Sequence, residues 1–252
     1  MNAITLCMSN PISEFRADEM NNWYTAEHVL TCMLMDGSIA VQRFKQSRFQ
    51  PKDAYLDFSV IALYELFDLE AWTTMCYSWG RDPHKMPVSS AFGNFCEDFW
   101  KPGVMVDDFA DFADYEGDKS VLLVKLEQRG DVKTDAFFTK EVLKKFRTYE
   151  GFKTAHLLET AGTNPSPSNL KDASTHMLVG QLSNSYFAKV SWDTFVDENP
   201  DLKTLFNVRA VIYDPVMPRT KACDVLKDPI SQSLFTITRQ LMRLQLPWGD
   251  QG

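Results

Sequence analysis

Apolar positions in this chain recur with two alternating periods. Ile4-Thr5-Leu6-Cys7-Met8 is an extended run closed by Ser9-Asn10-Pro11, a turn signal. From Ala17 to about Met35 the period becomes helical, with Met20, Trp23, Tyr24, Glu27 and His28 three or four residues apart. Asp18 and Glu19 suit the positive N-terminal end of that helix, and Asp36-Gly37 stops it. Ile39 to Phe49 and Ala54 to Leu66 have the pattern of strands, and Asp68 to Gly80 that of a second helix with Leu69, Trp72, Met75, Cys76 and Trp79 on one stripe. A loop rich in Pro, Ser and Gly, Arg81 to Asn94, leads to a strand near Phe95 to Val106. The order is βαββαβ, the split βαβ or ferredoxin-like unit.

The same order recurs downstream. Ser120 to Glu127, Gly151 to Thr160, Thr175 to Ser183 and Leu202 to Tyr213 are predicted strands; Thr134 to Tyr149 and Ser185 to Asp197 are predicted helices. Gly37 and Gly151 are 114 residues apart, and Ala62-Leu63-Tyr64-Glu65-Leu66 precedes Leu178-Val179-Gly180-Gln181-Leu182 by 116. A nearly constant offset marks a repeat. The expected fold class is α+β: two tandem ferredoxin-like repeats, 1–106 and 120–214, joined by an acidic linker, 107–119. Residues 215–252 form a tail with one helix, Ile230 to Leu246. Two helices cover only one face of each sheet. The bare faces are expected to pack together and close an intramolecular dimeric α/β barrel, a pseudo-dimer within one chain that leaves a further homodimer open.

Composition narrows the function. The net charge of −8 argues against nucleic acid, which demands a basic face, and against an anionic membrane surface. Five cysteines without a CxxC pair are expected to be reduced packing residues of a cytoplasmic protein. The N-terminal stretch lacks the basic and apolar regions of a signal peptide, and no apolar run is long enough to span a bilayer. Six Trp and eighteen Phe suit a dense core or an aromatic-lined pocket for a small apolar ligand. GxGxxG, GxxxxGK[ST], GxSxG and HExxH are missing, so nucleotide-dependent chemistry and triad hydrolysis have no support, and no cofactor is expected.

One stretch carries a resemblance. Met8-Ser9-Asn10-Pro11, then Glu19-Met20-Asn21-Asn22-Trp23-Tyr24, His28, Gly37 and Arg43-Phe44, resembles the dimeric α/β-barrel superfamily, most nearly its EthD-like, stress-responsive branch. The match covers roughly residues 4–66; Val29-Leu30 stand where that branch often has Pro, and the second half lacks the Trp-Tyr…His pattern. The resemblance implies a pocket between the helices and the sheet. It also implies a range of activities: cofactor-free cyclases, muconolactone-type isomerases, decarboxylases, quinone-forming monooxygenases and haem enzymes. Fold does not choose among them.

His28 is the leading candidate for proton transfer, since imidazole ordinarily titrates near working pH. Tyr24, one turn earlier, shares its face. Asn10 can donate to an oxyanion or simply cap the turn. Trp23, Tyr64 and Trp79 are candidate pocket walls, and Glu27 a solvated helix position. Arg43 can hold a carboxylate, although an edge salt bridge is the plainer expectation. His156 and His176 lie in predicted strands that can set them on one sheet face, but no carboxylate or Cys lies at ligand spacing, so a metal or a haem axial ligand there is the lesser alternative, and His84 is expected to be exposed. Two functions follow: a cofactor-independent cyclase, isomerase or decarboxylase acting on an apolar carbonyl compound, or a non-catalytic binding module. A cofactor-free or haem oxygenase is a further alternative.

Overall fold

The computed structural model describes residues 3–56, 58–80, 86, 99–105, 119–130, 145–160 and 176–227. The 81–94 loop apart from Met86, the acidic linker apart from Lys119, most of the helix expected over 134–149 and the tail helix expected over 230–246 lie outside these residues.

Among the described residues, nine strands form one sheet: β1 (Ala3–Ser9), β2 (Ser38–Gln46), β3 (Val60–Leu66), β4 (Phe99–Met105), β5 (Ser120–Gln128), β6 (Phe152–Thr160), β7 (His176–Leu182), β8 (Phe206–Pro215) and β9 (Thr220–Lys221). Their order is β3-β1-β4-β6-β7-β5-β8-β2-β9, and β2 also pairs with β3, so β1 to β8 close into an antiparallel ring. The first four strands are neighbours in the order β4-β1-β3-β2, and the next four in the order β6-β7-β5-β8. This is an α+β fold of the dimeric α/β-barrel type.

The two sets were expected to meet face to face. Their inner faces do pack together inside the barrel, and the two sets also join edge to edge, along Phe44↔Pro215 to Gln46↔Tyr213 and along Gly103↔Thr160 to Met105↔Leu158. The physical reason for the edge pairing is that a strand edge carries a row of N–H and C=O groups that a neighbouring strand satisfies.

Strand alternation sorts the side chains into layers. Ile4, Leu6 and Met8 of β1 point into the barrel with Phe44, Leu63, Leu123, Val179 and Tyr213. Ala3 and Cys7 of the same strand point outward, under the first-half helices. The outer face of β5 to β8 packs beneath Phe146, Trp192 and Phe195. Each fully buried Leu, Ile or Phe is worth about 1.5–3 kcal/mol.

The helix over the first half, here α1, has three segments: an α segment Ala17–Trp23, a π turn Tyr24–His28 and an α segment Val29–Met33. Leu69–Gly80 forms α2, Ser185–Glu198 α3, Leu202–Leu205 α4 and Ala222–Lys227 α5. The Asn184 side chain caps α3 by accepting from the Phe187 N–H. Gly37, at φ +91°, turns the chain from α1 into β2; a Cβ there would lie 2.2 Å from the Asp68 carbonyl oxygen.

Two expected strands are shorter than the apolar pattern suggests. The run from Ala54 becomes a strand only at Val60. The preceding segment covers the edge of β8: Ser47 N donates to Ile212 O at 2.9 Å, Gln50 exchanges bonds with the Ile212 backbone, and Tyr55 N donates to Ala210 O at 3.2 Å. Pro51, with no N–H to give, fits a covering loop better than a central strand. The last strand begins at Phe206 rather than Leu202, because Leu202–Leu205 completes a helical turn that buries Leu202.

The chain after β8 is stitched to the first half. Thr220 and Lys221 pair with Val41 and Ala40, and Ala222 and Val225 of α5 join the apolar cluster under α1. Arg219 donates bidentately to the Glu65 carboxylate, both bonds 2.6 Å, with the two side chains only 5% and 3% exposed.

Candidate active site

The layer between α1, α2 and the first-half sheet holds an unusual concentration of polar chemistry. His28 closes the π turn, and its ring is sandwiched between Trp23 at 4.9 Å and Tyr24 at 4.7 Å. Its Nε2 lies 3.6 Å from Cys32 Sγ, one turn further along α1. Its Nδ1 is sealed from solvent and meets no hydrogen-bond partner among the described residues. π turns recur at functional sites, because the extra residue re-aims side chains that a regular helix would direct elsewhere.

Tyr24 and Tyr64 reach toward each other from helix and strand, hydroxyl to hydroxyl at 3.5 Å, and the Tyr64 ring lies 5.4 Å from Trp72 of α2. Arg43 rises from β2 into the same layer and is 1% exposed. Its Nη1 donates to Thr25 Oγ1 at 2.6 Å and to the Asn21 carbonyl at 3.0 Å; its Nη2 donates to Asn21 Oδ1 at 2.7 Å. The guanidinium carbon stands 4.3 Å above the Tyr24 ring.

These facts correct two expectations. Arg43 makes no edge salt bridge among the described residues: it is a buried cation whose partners there are an amide, a hydroxyl, a carbonyl and an aromatic face. His28 does not titrate near neutrality. Burial, and then the Arg43 charge, push its pKa down to about 4, so its ring is neutral at pH 7. Burial likewise raises the Cys32 thiol to about 12 and pushes the Tyr64 phenol well above its usual range. Burial lowers Arg43 from its ordinary value, although guanidinium stays charged.

The structure thus gathers Tyr24, His28, Arg43 and Tyr64, with Trp23 and Trp79 packed on the same apolar cluster. Asn10 does something else: its Oδ1 accepts from Ser59 N at 2.7 Å and ties the end of β1 to the start of β3. His156 and His176 do not share a face. His156 alternates with Ala155 and Leu157, which lie under the second-half helices, and so points into the barrel. His176 alternates with Met177, which points inward, and so faces out. His84 lies outside the described residues, and no three metal-ligating side chains converge among the described ones.

Sequence reasoning missed Asn21, Thr25, Cys32 and Trp72. Cys32 stood four residues from His28, and Asn21 and Thr25 are likewise one turn apart, so helical spacing was the available signal. The second-half layer differs. Arg43 lies opposite Ala62 in β3, and Leu157 holds the matching register position opposite Leu178 in β7. Tyr64 opposite Val41 is matched by Gly180 opposite Ala155, where Phe146 lies 3.5 Å from the place of a Cβ. Where the first half has a cation and a phenol, the second has Leu and a packed Phe ring.

No family model matches this sequence. No curated protein matches it either. Solved structures do share its architecture. An anthrone oxidase-like protein has 9% identical residues over 88% of this chain and 93% of its own, with a TM-score of 0.56. A protein designated a monooxygenase, from Fusobacterium nucleatum subsp. nucleatum, has 13% identity, coverages of 87% and 94%, and a TM-score of 0.51. One designated a chlorite dismutase has 9% identity, coverages of 86% and 96%, and a TM-score of 0.51. These proteins belong to the dimeric α/β-barrel superfamily, and at such identities the likeness is one of fold.

Proposed function

We propose that this chain is a small-molecule oxidoreductase, an internally duplicated relative of the dimeric barrels, that deprotonates an enolisable or phenolic aromatic carbon acid and delivers the carbanion to dioxygen. The observation that carries this reading is Arg43, a buried cation with neutral partners, beside the sealed, neutral His28. Such a pair is incomplete without an anion. An enolate oxygen held by Arg43 offsets the guanidinium charge that depresses His28, so the imidazole becomes a better base as charge develops on the substrate. The likeness to anthrone oxidase-like and monooxygenase-designated folds supports oxidation over the cyclase, isomerase or decarboxylase alternatives, which share the same first proton transfer.

The chemistry balances as follows. His28 takes a proton from a CH2 flanked by aromatic rings, and Arg43 holds the enolate oxygen. The carbanion passes one electron to O2, and the radical pair combines into a C–O bond. His28 returns its proton to the peroxide, and loss of water leaves a ketone: CH2 plus O2 gives C=O plus H2O. Tyr24, Tyr64 and Trp72 supply the aromatic walls.

The packing of this layer by aromatic rings favours a second reading, a binding module without turnover. Anthrone separates the two when oxygen uptake and anthraquinone formation are followed together. Turnover should fall by about 10²–10⁴-fold in His28→Ala. Binding without oxygen uptake would establish the module, and an unchanged rate in His28→Ala would move the chemistry elsewhere.

A further inference from the structure

We propose that Cys32 is a positioning residue that sets the tautomer of His28, leaving the Nδ1 lone pair as the base. Its part in catalysis rests on the carbon-acid reading above; the tautomer itself is a property of the resting protein. Cys32 lies one turn beyond His28 on α1, and its Sγ is 3.6 Å from His28 Nε2. The Tyr64 phenol, rising from β3, is a hydrogen-bonding neighbour of the same thiol and stands 3.5 Å from the Tyr24 hydroxyl. His28, Cys32, Tyr64 and Tyr24 thus form one chain of contacts, in which the thiol residue and both phenol residues are at most 2% exposed.

The hydrogens available give the chain its direction. A thiol and a phenol carry one each. Burial keeps both in place, since it raises Cys32 to about 12 and Tyr64 well above its usual range. Tyr64 donates its hydrogen to the Tyr24 oxygen. The Tyr64 oxygen is left to accept, and the Cys32 S–H is the donor beside it. With that hydrogen turned toward Tyr64, the sulfur accepts on its other side, so His28 Nε2 carries the imidazole hydrogen and donates it to Sγ. A neutral imidazole has one N–H, so Nδ1 keeps its lone pair. Nδ1 is also the buried ring nitrogen that meets no partner among the described residues.

The direction has a chemical consequence. The proton of the substrate carbon passes to Nδ1, and the electron pair stays on carbon. The Nε2–H then belongs to an imidazolium, and its bond to sulfur becomes charge-assisted. Hydrogen bonds running head to tail polarise one another, so the whole chain stabilises the protonated ring.

Packing does not require these polar groups. Cys32 lies five residues before Gly37, and Phe146 five before Gly151. Tyr64 and Gly180 share a register position, and the Phe146 ring fills the space beside Gly180. Val142 stands where the repeat places His28. The half that has no imidazole there has neither the thiol nor the phenol, and sets Phe against Gly instead.

Long-range proton–nitrogen NMR spectra of the histidine rings, recorded at neutral pH without substrate, read the tautomer, and His28→Gln assigns the signal. The wild type should carry its ring hydrogen on Nε2. Cys32→Ser keeps one donor and one acceptor and should keep this tautomer. Tyr64→Phe removes the acceptor of the thiol hydrogen, which turns back toward His28 Nε2, so the ring hydrogen should move to Nδ1. Cys32→Ala should give a mixture of tautomers and oxidise anthrone about 3–10-fold more slowly than Cys32→Ser, the worth of one hydrogen bond. If Cys32→Ala fails to fold, Tyr64→Phe decides. A wild type with its hydrogen on Nδ1, a tautomer unchanged in Tyr64→Phe, or equal and measurable turnover in Cys32→Ala and Cys32→Ser would overturn the proposal. Absence of oxidation in every protein would overturn the oxidase reading instead, with the tautomer still decided by the spectra.

Discussion

His28 should make the fold acid-sensitive in a defined window. Its pKa is about 4 in the folded chain against an ordinary 6.5, so the unfolded chain binds the proton more readily. The sign follows directly. Above pH 6.5 both states are unprotonated and the group has no effect; between about 6.5 and 4 stability falls as the pH falls; below 4 the loss is complete. Each pH unit inside the window costs about 1.4 kcal/mol, and the whole shift about 3 kcal/mol. From pH 7 to pH 5 the linkage comes to about 2 kcal/mol. Urea unfolding of the wild type and of His28→Gln at both pH values isolates this contribution, because the other titrating groups are common to both proteins. The wild type should lose about 2 kcal/mol more than the variant. Parallel losses would refute the reasoning, and with it the assignment of His28 as a sealed, neutral ring.

Arg43→Met removes the cation beside His28 and a desolvated charge. The His28 midpoint followed by NMR should therefore rise, while stability in urea stays within about 1 kcal/mol or increases. Gly37→Ala forces a left-handed residue and sets a Cβ 2.2 Å from the Asp68 carbonyl oxygen, so it should lower stability by several kcal/mol. Gly130→Ala, at φ +73° with nothing within 4 Å, should cost about 1–2 kcal/mol, and equal melting points for the two would contradict the close-approach argument. Glu65→Gln strips the carboxylate charge from a bidentate pair that is nearly inaccessible to solvent, and should cost about 3–5 kcal/mol in chemical denaturation.

Much of the architecture was legible because alternation and helical spacing are local properties. β1, β5, β6 and β7 fall within one residue of their predicted strands, and α2 and α3 within one residue of their helices. The errors came where a distant segment decides the outcome. Residues 47–55 are a cover because β8 has an edge to protect, and nothing within that stretch records the edge. The way the two strand sets join depends on which strand ends meet, which a periodicity cannot encode.

The same division runs through the candidate site. Tyr24 and His28 were visible as one helical face, but the neutrality of His28 depends on Arg43, which arrives from β2. Arg43 was visible as a cation beside Phe44, but its character depends on Asn21 and Thr25 replacing the carboxylate that an edge arginine normally meets. Chemistry carried by one element can be read from spacing. Chemistry that arises when one element places a charge beside another must wait for the fold, and the meeting of Arg43 with His28 is of that second kind.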